Sequence, residues 1–281
     1  VSVGDLILSN STFNNQLSGV LNLMAANANI SFSSSTTEIL NNYGTINRGG
    51  ETGPVVISAT MNNTGTINVT IGTLEISNAN SQLNGGIYNV SGGAILLWTS
   101  TLTISGTLTG LLNGPIEWSG NVSVPTTATF NFSGPAGVNW TIGALNGAGT
   151  LTNLTTINLT GTSNTSVGTA TTLTNVGTLN ITSVGNLILT NSTLNNQPSG
   201  VLNLVTANGN ISYSSSVTET LNNLGTINRS GDNGLVTIDA TMTNTGTINV
   251  TNGTLDINDT NTQLNGGIYN VSSGAILEWS S

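Results

Sequence analysis

Apolar and polar residues alternate over short stretches of this chain. In GTINVTIGTLEI (65–76) and TLTISGTLTG (101–110) the apolar residues fall largely on every second position. This period is typical of a strand that buries one face. Glycine and asparagine interrupt the stretches every few residues, where turns are expected. Apolar residues at helical spacing are missing, so the pattern predicts an all-β fold.

A short repeat runs through these stretches, for example LNNYGTINR at 40–48 and MNNTGTINV at 61–69. The first apolar residue of the repeat recurs at a nearly constant spacing, apart from one longer gap between Leu83 and Leu151 that holds three further repeats. The residues at this position are Phe13, Leu40, Met61, Leu83, Leu151, Leu173 and Leu194. One short strand cannot bury its apolar side alone, but coiling stacks it on its counterpart in the next repeat. The spacing predicts a parallel β-helix (β-solenoid) of about 12 rungs of 21–27 residues.

A long repeat encloses the short one. Residues 1–100 align without a gap on residues 182–281, and 72 of the 100 positions are identical. We call these segments A (1–100) and A′ (182–281), and the intervening segment B (101–181). We expect 1–281 to form a single continuous β-solenoid and to be a window on a longer array of A and B segments.

The amino-acid composition excludes several classes of function. Of the 281 residues, 36% are hydrophobic and 5% are charged, with two arginines, no lysine, no histidine and a net charge of -9. Nucleic-acid binding depends on cations that neutralise phosphates, so that function is excluded. Cysteine is absent, which removes disulfides and thiolate chemistry. The apolar runs are far shorter than a membrane-spanning helix needs, so no membrane insertion is expected within this segment. The chain opens at Val1 without methionine, and we expect mature material or a fragment.

The segments NNxGTIN, GTLxI and GAILxW resemble repeats of giant secreted prokaryotic surface proteins. The likeness is to filamentous-haemagglutinin-like adhesins and to autotransporter passengers, and it covers essentially the whole chain. It implies a right-handed parallel β-helix, an extracellular or cell-surface location, and a role as stalk, fibre or adhesin. No functional residue is carried over from this resemblance.

Parallel β-helices also include polysaccharide lyases and glycoside hydrolases, whose chemistry needs particular side chains. A lyase needs basic groups, and lysine and histidine are absent. A glycosidase needs two carboxylates about 5–10 Å apart. Asp256 and Asp259 could form such a pair, but the equivalent residues of segment A are Glu75 and Asn78. Without a general base no hydroxyl can be activated in the usual way. We expect no enzymatic activity and no cofactor.

Four tryptophans form a second candidate feature. Trp98, Trp118 and Trp140 follow one another at close to the rung length, and Trp279 is the A′ counterpart of Trp98. An outward stripe would be a platform for stacking glycans, whereas an inward stripe would be a ladder that fixes register. The sequence favours the inward ladder and leaves the glycan platform as the alternative.

Asparagine and arginine give two further hypotheses. Stacking of rungs places asparagines above one another at positions such as Asn41, Asn62 and Asn222, where amides can pair along the axis. The alternative is that asparagine here only tolerates left-handed turns. Arg48 with Glu38, and Arg229 with Glu219 in A′, are expected to form surface ion pairs that support a loop. A calcium ion near an acid of segment A or A′, Glu51 or Asp232, is left open by the sequence.

Asn-x-Ser/Thr sequons occur 19 times. If the source organism glycosylates asparagine, we expect decoration on accessible acceptors. The candidates are Asn10, Asn29, Asn68, Asn89, Asn121, Asn191, Asn210, Asn249 and Asn270.

The sequence as a whole predicts a structural extracellular or cell-surface fibre or stalk of stacked rungs. Open rung ends favour self-association, head to tail or lateral. The main alternative is an adhesin that binds surface glycans. The remote alternatives are a polysaccharide-active enzyme and an ice-binding solenoid, the latter because of two-periodic threonines such as Thr101, Thr103, Thr107 and Thr109.

Overall fold

The structure, a computed structural model, describes residues 4–33, 38–214 and 219–280. Its regular elements are β-strands, and the described residues include no helix. The strands pair in parallel and stack as a β-solenoid of about 12 turns, which confirms the predicted fold class. Within the described residues no helix has the length and apolarity needed to cross a membrane.

Two compact units divide the chain, unit 1 (Val1–Val138) and unit 2 (Asn139–Ser281). Each rung has three sides, and each side is a stack of parallel strands. The strands of unit 1 are β1 Leu6–Leu8, β2 Thr12–Asn15, β3 Val20–Leu23, β4 Ile30–Phe32, β5 Ile39–Asn42, β6 Thr45–Arg48, β7 Pro54–Ile57, β8 Thr60–Asn63, β9 Thr66–Val69, β10 Thr73–Ile76, β11 Gln82–Val90, β12 Ile95–Trp98, β13 Leu102–Leu111, β14 Ile116–Trp118, β15 Val122–Ser123 and β16 Thr127–Ser133.

Strand β17, Val138–Trp140, contains the boundary between the units. The strands of unit 2 are β18 Gly143–Asn146, β19 Thr150–Asn153, β20 Thr156–Leu159, β21 Thr165–Val167, β22 Thr172–Asn175, β23 Thr178–Ile181, β24 Leu187–Leu189, β25 Thr193–Asn196, β26 Val201–Leu204, β27 Ile211–Tyr213, β28 Thr220–Asn223, β29 Thr226–Arg229, β30 Leu235–Ile238, β31 Thr241–Asn244, β32 Thr247–Val250, β33 Thr254–Ile257, β34 Ile268–Val271 and β35 Ile276–Trp279.

Register follows the short repeat. In unit 1, Phe13 lies beside Leu40 and Leu40 beside Met61, as the spacing of the repeat predicts. Alternate residues point inward, so that Leu40 and Met61 are fully buried in a column of apolar side chains. Complete burial of one such side chain contributes about 1.5–3 kcal/mol. The stacking therefore explains how strands of three or four residues remain folded.

At Leu83 the predicted register is wrong. Leu83 lies beside Asn63, not beside Met61. The segment QLNGG lacks the second asparagine of the repeat, so leucine fills the place where the other rungs carry a buried asparagine. Strand β11 then continues through the corner that a turn occupies in earlier rungs, with a register shift relative to β13 between Asn84 and Gly86.

Candidate functional site

A column of buried asparagine side chains, the inner ladder, runs through unit 1. The Nδ2 of Asn15 donates to the Oδ1 of Asn42 at 2.7 Å, and the Nδ2 of Asn42 donates to the Oδ1 of Asn63 at 2.6 Å. These residues end strands β2, β5 and β8, immediately before a corner of the solenoid. All three are buried. The ladder therefore links rungs along the direction in which they stack.

The inner ladder satisfies the amides that it buries. Besides its ladder bond, the Nδ2 of Asn15 donates to the carbonyl of Thr45 at 3.0 Å, and the Nδ2 of Asn42 donates to the carbonyl of Thr66 at 3.4 Å. A buried polar group without a partner costs about 1–3 kcal/mol, so the ladder is stabilising only as long as it is complete. Bonded amides in a low-dielectric interior also polarise one another.

A tyrosine ends the inner ladder of unit 1. The Nδ2 of Asn63 donates to the hydroxyl of Tyr88 at 2.8 Å, and this hydroxyl donates to the carbonyl of Gly85 at 3.0 Å. Burial raises the pKa of Tyr88, while the bond from Asn63 opposes the rise, so the phenol stays protonated. Gly86 has a φ of 100°, and a Cβ there would lie 2.9 Å from the Nδ2 of Asn63. The corner therefore requires glycine.

Unit 2 has the same arrangement with more rungs. Its inner ladder has Nδ2-to-Oδ1 distances of 2.7–2.8 Å and consists of Asn153, Asn175, Asn196, Asn223 and Asn244. The Nδ2 of Asn244 donates to the hydroxyl of Tyr269 at 2.9 Å, the counterpart of the Asn63–Tyr88 bond. The repeat thus encodes both the ladder and its tyrosine end.

Outer ladders of half-buried or exposed asparagines accompany the inner ladder. In unit 1 the Nδ2 of Asn41 donates to the Oδ1 of Asn14 at 2.8 Å, and the Nδ2 of Asn62 donates to the Oδ1 of Asn41 at 2.9 Å. In unit 2, Asn222 donates to Asn195 at 2.8 Å. These bonds confirm the amide ladder predicted at Asn41, Asn62 and Asn222. The left-handed conformation that was the alternative is found at Asn10, Asn27, Asn191 and Asn208 instead.

A further outer ladder follows the next side of the rungs. In unit 1, Asn47 donates to Asn22, Asn68 to Asn47 and Asn89 to Asn68, at 2.8–2.9 Å. Its counterpart in unit 2 consists of Asn139, Asn158, Asn180, Asn203, Asn228, Asn249 and Asn270. Outer ladders donate toward the N-terminal rung and the inner ladder donates toward the C-terminal rung, so their amide dipoles oppose one another.

Arg48 is buried, which corrects the prediction that it is a surface charge. It lies between Leu23 and Val69 in the stacked strands, and its side chain occupies a position that is apolar in those rungs. The guanidinium donates to the carbonyls of Leu23, Gly49, Glu51, Gly53 and Thr73. Burial lowers the pKa of Arg48, and the charge of Glu51 partly offsets this. Arg48 therefore holds the loop at 49–53 against the core.

Arg229 repeats this arrangement in unit 2 and adds an ion pair. Its Nη2 lies 2.6 Å from the Oδ1 of Asp232, so its partner is not the predicted Glu219. The Oδ2 of Asp232 accepts the backbone N–H of Ala207 at 2.7 Å. These bonds, that from Ala207 first, lower the pKa of Asp232. Glu219 is buried and accepts the N–H of Asn191 at 3.1 Å.

The acids proposed for other chemistry have local partners. Asp256 accepts a hydrogen bond from the Ser280 hydroxyl at 2.8 Å, and Asp259 accepts the N–H of Asn261 at 2.8 Å. In segment A, Glu51 accepts the N–H of Ala26 at 2.8 Å. Among the described residues, no group of three or more acids, histidines or cysteines could hold a metal ion.

Three of the four tryptophans are fully buried. In unit 1, Trp98 and Trp118 are buried side by side in register, and the Nε1 of Trp118 donates to the carbonyl of Gly120 at 2.7 Å. In unit 2, Trp140 is likewise buried. Buried rings offer no face to a sugar, so these three side chains serve packing and register. Trp279, by contrast, is 50% exposed.

The glycosylation candidates differ in access. Exposed candidates are Asn10, Asn121, Asn191 and Asn270, and half-buried candidates are Asn29, Asn68, Asn89, Asn210 and Asn249. The Nδ2 atom that would carry a glycan is a ladder donor in Asn68, Asn89, Asn249 and Asn270. Glycosylation itself stays a prediction.

Equivalent grooves lie on the surface of each unit. Groove 1, in unit 1, has a volume of about 240 Å³ and is lined by Thr52, Thr70, Ile71, Gly72, Thr73, Gly92 and Gly93. Groove 2, in unit 2, has a volume of about 380 Å³ and is lined by Asn233, Asn252, Gly253, Thr254, Ser273, Gly274 and Ile276. Groove 2 is the more polar because asparagine and serine replace Thr52, Ile71 and Gly92.

The sequence matches no protein-family model, and no curated protein or solved structure shows significant similarity to it. The repeated rungs are consistent with a β-helix repeat region.

Proposed function

We propose that this chain is a structural part of an extracellular or cell-surface fibre or stalk, in which rungs associate along their stacking direction. The observation that carries the proposal is the inner ladder. Its bonds of 2.6–2.8 Å run from rung to rung and lie in the interior, away from competing water. Side-chain bonds parallel to the main-chain pairing add resistance to separation of rungs, which a load-bearing element requires.

Sequence likeness supports the location. The motifs NNxGTIN, GTLxI and GAILxW resemble repeats of filamentous-haemagglutinin-like adhesins and autotransporter passengers, which are secreted surface proteins. A net charge of -9, with two arginines that are both buried, leaves acids as the charged groups on the surface. Such a surface suits solvent exposure and disfavours binding to polyanions.

Immunogold electron microscopy of cells that carry this sequence tests the proposal, with antibodies raised against residues 1–281. We expect gold along filaments, a sheath or stalks outside the cell. Label confined to the cell interior, or spread over soluble secreted material without assemblies, would contradict it. Cells from which the coding sequence is deleted provide the control for antibody specificity.

A second candidate function, glycan adhesion, is favoured by the two equivalent grooves. Hydroxyl and amide groups without charge suit a neutral sugar, and groove 2 offers more of them. Glycan-array binding of the chain would test this with exchanged residues: Asn252→Ile should weaken binding, and Ile71→Asn should strengthen it. Binding that neither substitution changes would exclude the grooves as the sugar site.

A further inference from the structure

The corner between β32 and β33 in unit 2 contains a short contact between neighbouring residues. The N–H of Gly253 donates to the Oδ1 of Asn252, the residue before it, at 3.1 Å. The corner has a rung on each side. The Nδ2 of Asn252 donates to the carbonyl of Gly231 at 2.7 Å. The carbonyl of Gly253 accepts the N–H of Ile276 at 2.9 Å. The side-chain amide of Asn252 is therefore held against the nitrogen of the residue that follows it.

Glycine is required at this corner in both copies of the long repeat. Gly253 has a φ of 67°, and its counterpart Gly72 in unit 1 has a φ of 70°. At either position a Cβ would lie 2.6 Å from a main-chain oxygen of the preceding rung. The residue before the glycine differs, because segment A has Ile71 where A′ has Asn252. The fold therefore fixes the glycine, and the sequence of A′ adds the asparagine.

An asparagine followed by glycine can cyclise without an enzyme. The main-chain nitrogen of the glycine attacks Cγ of the asparagine, and the Cγ–Nδ2 bond breaks. The proton of the attacking nitrogen passes through solvent to the departing nitrogen, which leaves as ammonia. Water then opens the cyclic succinimide at either of its carbonyls, and the product is aspartate or isoaspartate. The reaction consumes water, and it is fast when the reacting atoms are held about 3–3.5 Å apart.

The direction of the glycine N–H distinguishes this Asn–Gly pair from others in the chain, which has six such pairs. The N–H of Gly114 donates to the carbonyl of Val90 at 3.0 Å, and the N–H of Gly209 donates to the carbonyl of Thr206 at 3.1 Å. In both pairs a main-chain carbonyl engages the nitrogen, whereas at Gly253 the side chain to be attacked does so. All three glycines are buried, so burial of the glycine does not separate the pairs.

We propose that Asn252 is a site of spontaneous deamidation, with water as the co-reactant, and that its conversion changes groove 2 from neutral to anionic. Asn252 lines this groove with Asn233 and Ser273, and the lining residues in the described part of the chain carry no charge. A carboxylate at residue 252 cannot donate to the carbonyl of Gly231, so the corner loses that bond. Isoaspartate also lengthens the main chain there. The site goes beyond the proposed fibre and does not depend on it.

Peptide mass spectrometry tests the site on the full chain incubated at pH 8 in water enriched in heavy oxygen, because only conversions during the incubation take up the label. In the folded chain we expect Asn252 to convert at least about tenfold faster than Asn113 and Asn208. Side-chain exposure alone predicts the opposite order, since Asn113 and Asn208 are exposed and Asn252 is half-buried. In guanidinium chloride the contact is lost, and the three rates should approach one another.

Matched variants separate the corner from the reactivity of asparagine in general. Ile71→Asn places an asparagine before Gly72 in the equivalent corner of unit 1, and it should convert at a rate similar to that of Asn252. Asn252→Gln keeps an amide but requires a larger ring, so conversion at residue 252 should fall at least about tenfold. The proposal would be overturned if Asn252 converted no faster than Asn113 and Asn208 in the folded chain, if its advantage persisted in denaturant, or if the Ile71→Asn variant were unreactive.

The effect on groove 2 is measured with Asn252→Asp, which has the aspartate product at full occupancy. Loss of the bond to Gly231 should accelerate hydrogen exchange at residues 231–234, whereas exchange at the equivalent residues 50–53 of unit 1 should not change. Asn252→Gln is the control for replacement of the side chain without a charge. Equal exchange at 231–234 in the aspartate variant and the unaltered chain would overturn the predicted effect on the groove.

Discussion

The Nδ2 of Asn63 lies 2.8 Å from the hydroxyl of Tyr88, which closes the inner ladder of unit 1. Strand β11 lacks the asparagine that would continue the ladder, and Leu83 lies beside Asn63 in its place. A buried amide N–H would be left without a partner there if the tyrosine hydroxyl did not accept it. Tyr88 therefore substitutes for the missing asparagine while filling the core with its ring.

Removal of this hydroxyl should destabilise the protein more than loss of an exposed one. We expect Tyr88→Phe to lower the free energy of unfolding by about 1–3 kcal/mol, because Asn63 keeps its buried donor and loses the acceptor. Denaturant titration followed by circular dichroism measures the change. Tyr43→Phe is the control because the Tyr43 side chain is exposed, and its effect should stay within about 0.5 kcal/mol.

The counterpart in unit 2 gives a graded test. Tyr269 accepts from Asn244 at 2.9 Å but is only half-buried, whereas Tyr88 is fully buried, so water can more readily replace its hydroxyl. Tyr269→Phe should therefore cost less than Tyr88→Phe. Equal losses for the two variants would show that burial of the ladder end does not determine its contribution.

The inner and outer ladders should differ in their sensitivity to truncation. Asn175 is buried, accepts from Asn153, and donates to Asn196 and to the carbonyl of Val201. We expect Asn175→Ala to lower the free energy of unfolding by about 2–4 kcal/mol, because it leaves more than one buried partner unsatisfied. Asn180→Ala in the outer ladder should cost under about 1 kcal/mol, since water can reach its partners. Denaturant titration of both variants measures the two losses in the free energy of unfolding. Losses of similar size would contradict a special role for the inner ladder.

Periodicity predicted the rungs because strand alternation and the recurrence of NNxGT are both visible in short stretches of the sequence. The register of Leu40 with Met61 and the ladder at Asn41 and Asn62 follow directly from that recurrence. The register of Leu83 did not follow, because an apolar residue in QLNGG can align with either the leucine or the asparagine of the preceding repeat. In the structure Leu83 aligns with the asparagine, and the hydroxyl of Tyr88 accepts the hydrogen bond at the end of the ladder.

Arginine and tryptophan show why side-chain environments are harder to predict than strands. The sequence predicts a surface position for Arg48 because isolated charges are rarely buried. The groups that surround its guanidinium, which we call the Arg48 cage, are backbone carbonyls, and these leave no signal in the sequence. The inward orientation of Trp98 depends on strand parity, and a shift of one residue reverses it. Grooves 1 and 2 join residues from consecutive rungs, so their lining depends on exact register.

The Arg48 cage makes a prediction about the loop that it holds. Arg48→Met should leave the carbonyls of Gly49, Glu51 and Gly53 without their donor, lowering the free energy of unfolding by about 2–4 kcal/mol. Hydrogen exchange should accelerate more at residues 49–53 than in strand β5. Arg48→Lys supplies fewer donors and should give an intermediate result. A methionine variant with unchanged loop protection would mean that apolar packing alone fixes the loop.

The Arg229–Asp232 pair predicts a dependence of stability on pH. Hydrogen bonds from Ala207 and Arg229 lower the pKa of Asp232 in the folded state. The contribution of Asp232 is therefore present above its unfolded pKa, near 4, and is lost as the pH falls through the lower folded value. Because Asp232 is half exposed, the effect should stay below about 1 kcal/mol. Denaturant midpoints between pH 6 and 2.5 measure it.

Asp232→Asn should flatten the acid limb of that profile, because asparagine has no proton to gain. Asp259→Asn is the matched control, since it removes one carboxylate of the same unit that contacts Asn261 rather than Arg229. Flattening of equal size in both variants would show that general charge, and not the contact with Arg229 and Ala207, sets the acid sensitivity. A profile for Asp232→Asn that superimposes on that of the unaltered chain would show that the loop bonds of Asp232 do not contribute to folding.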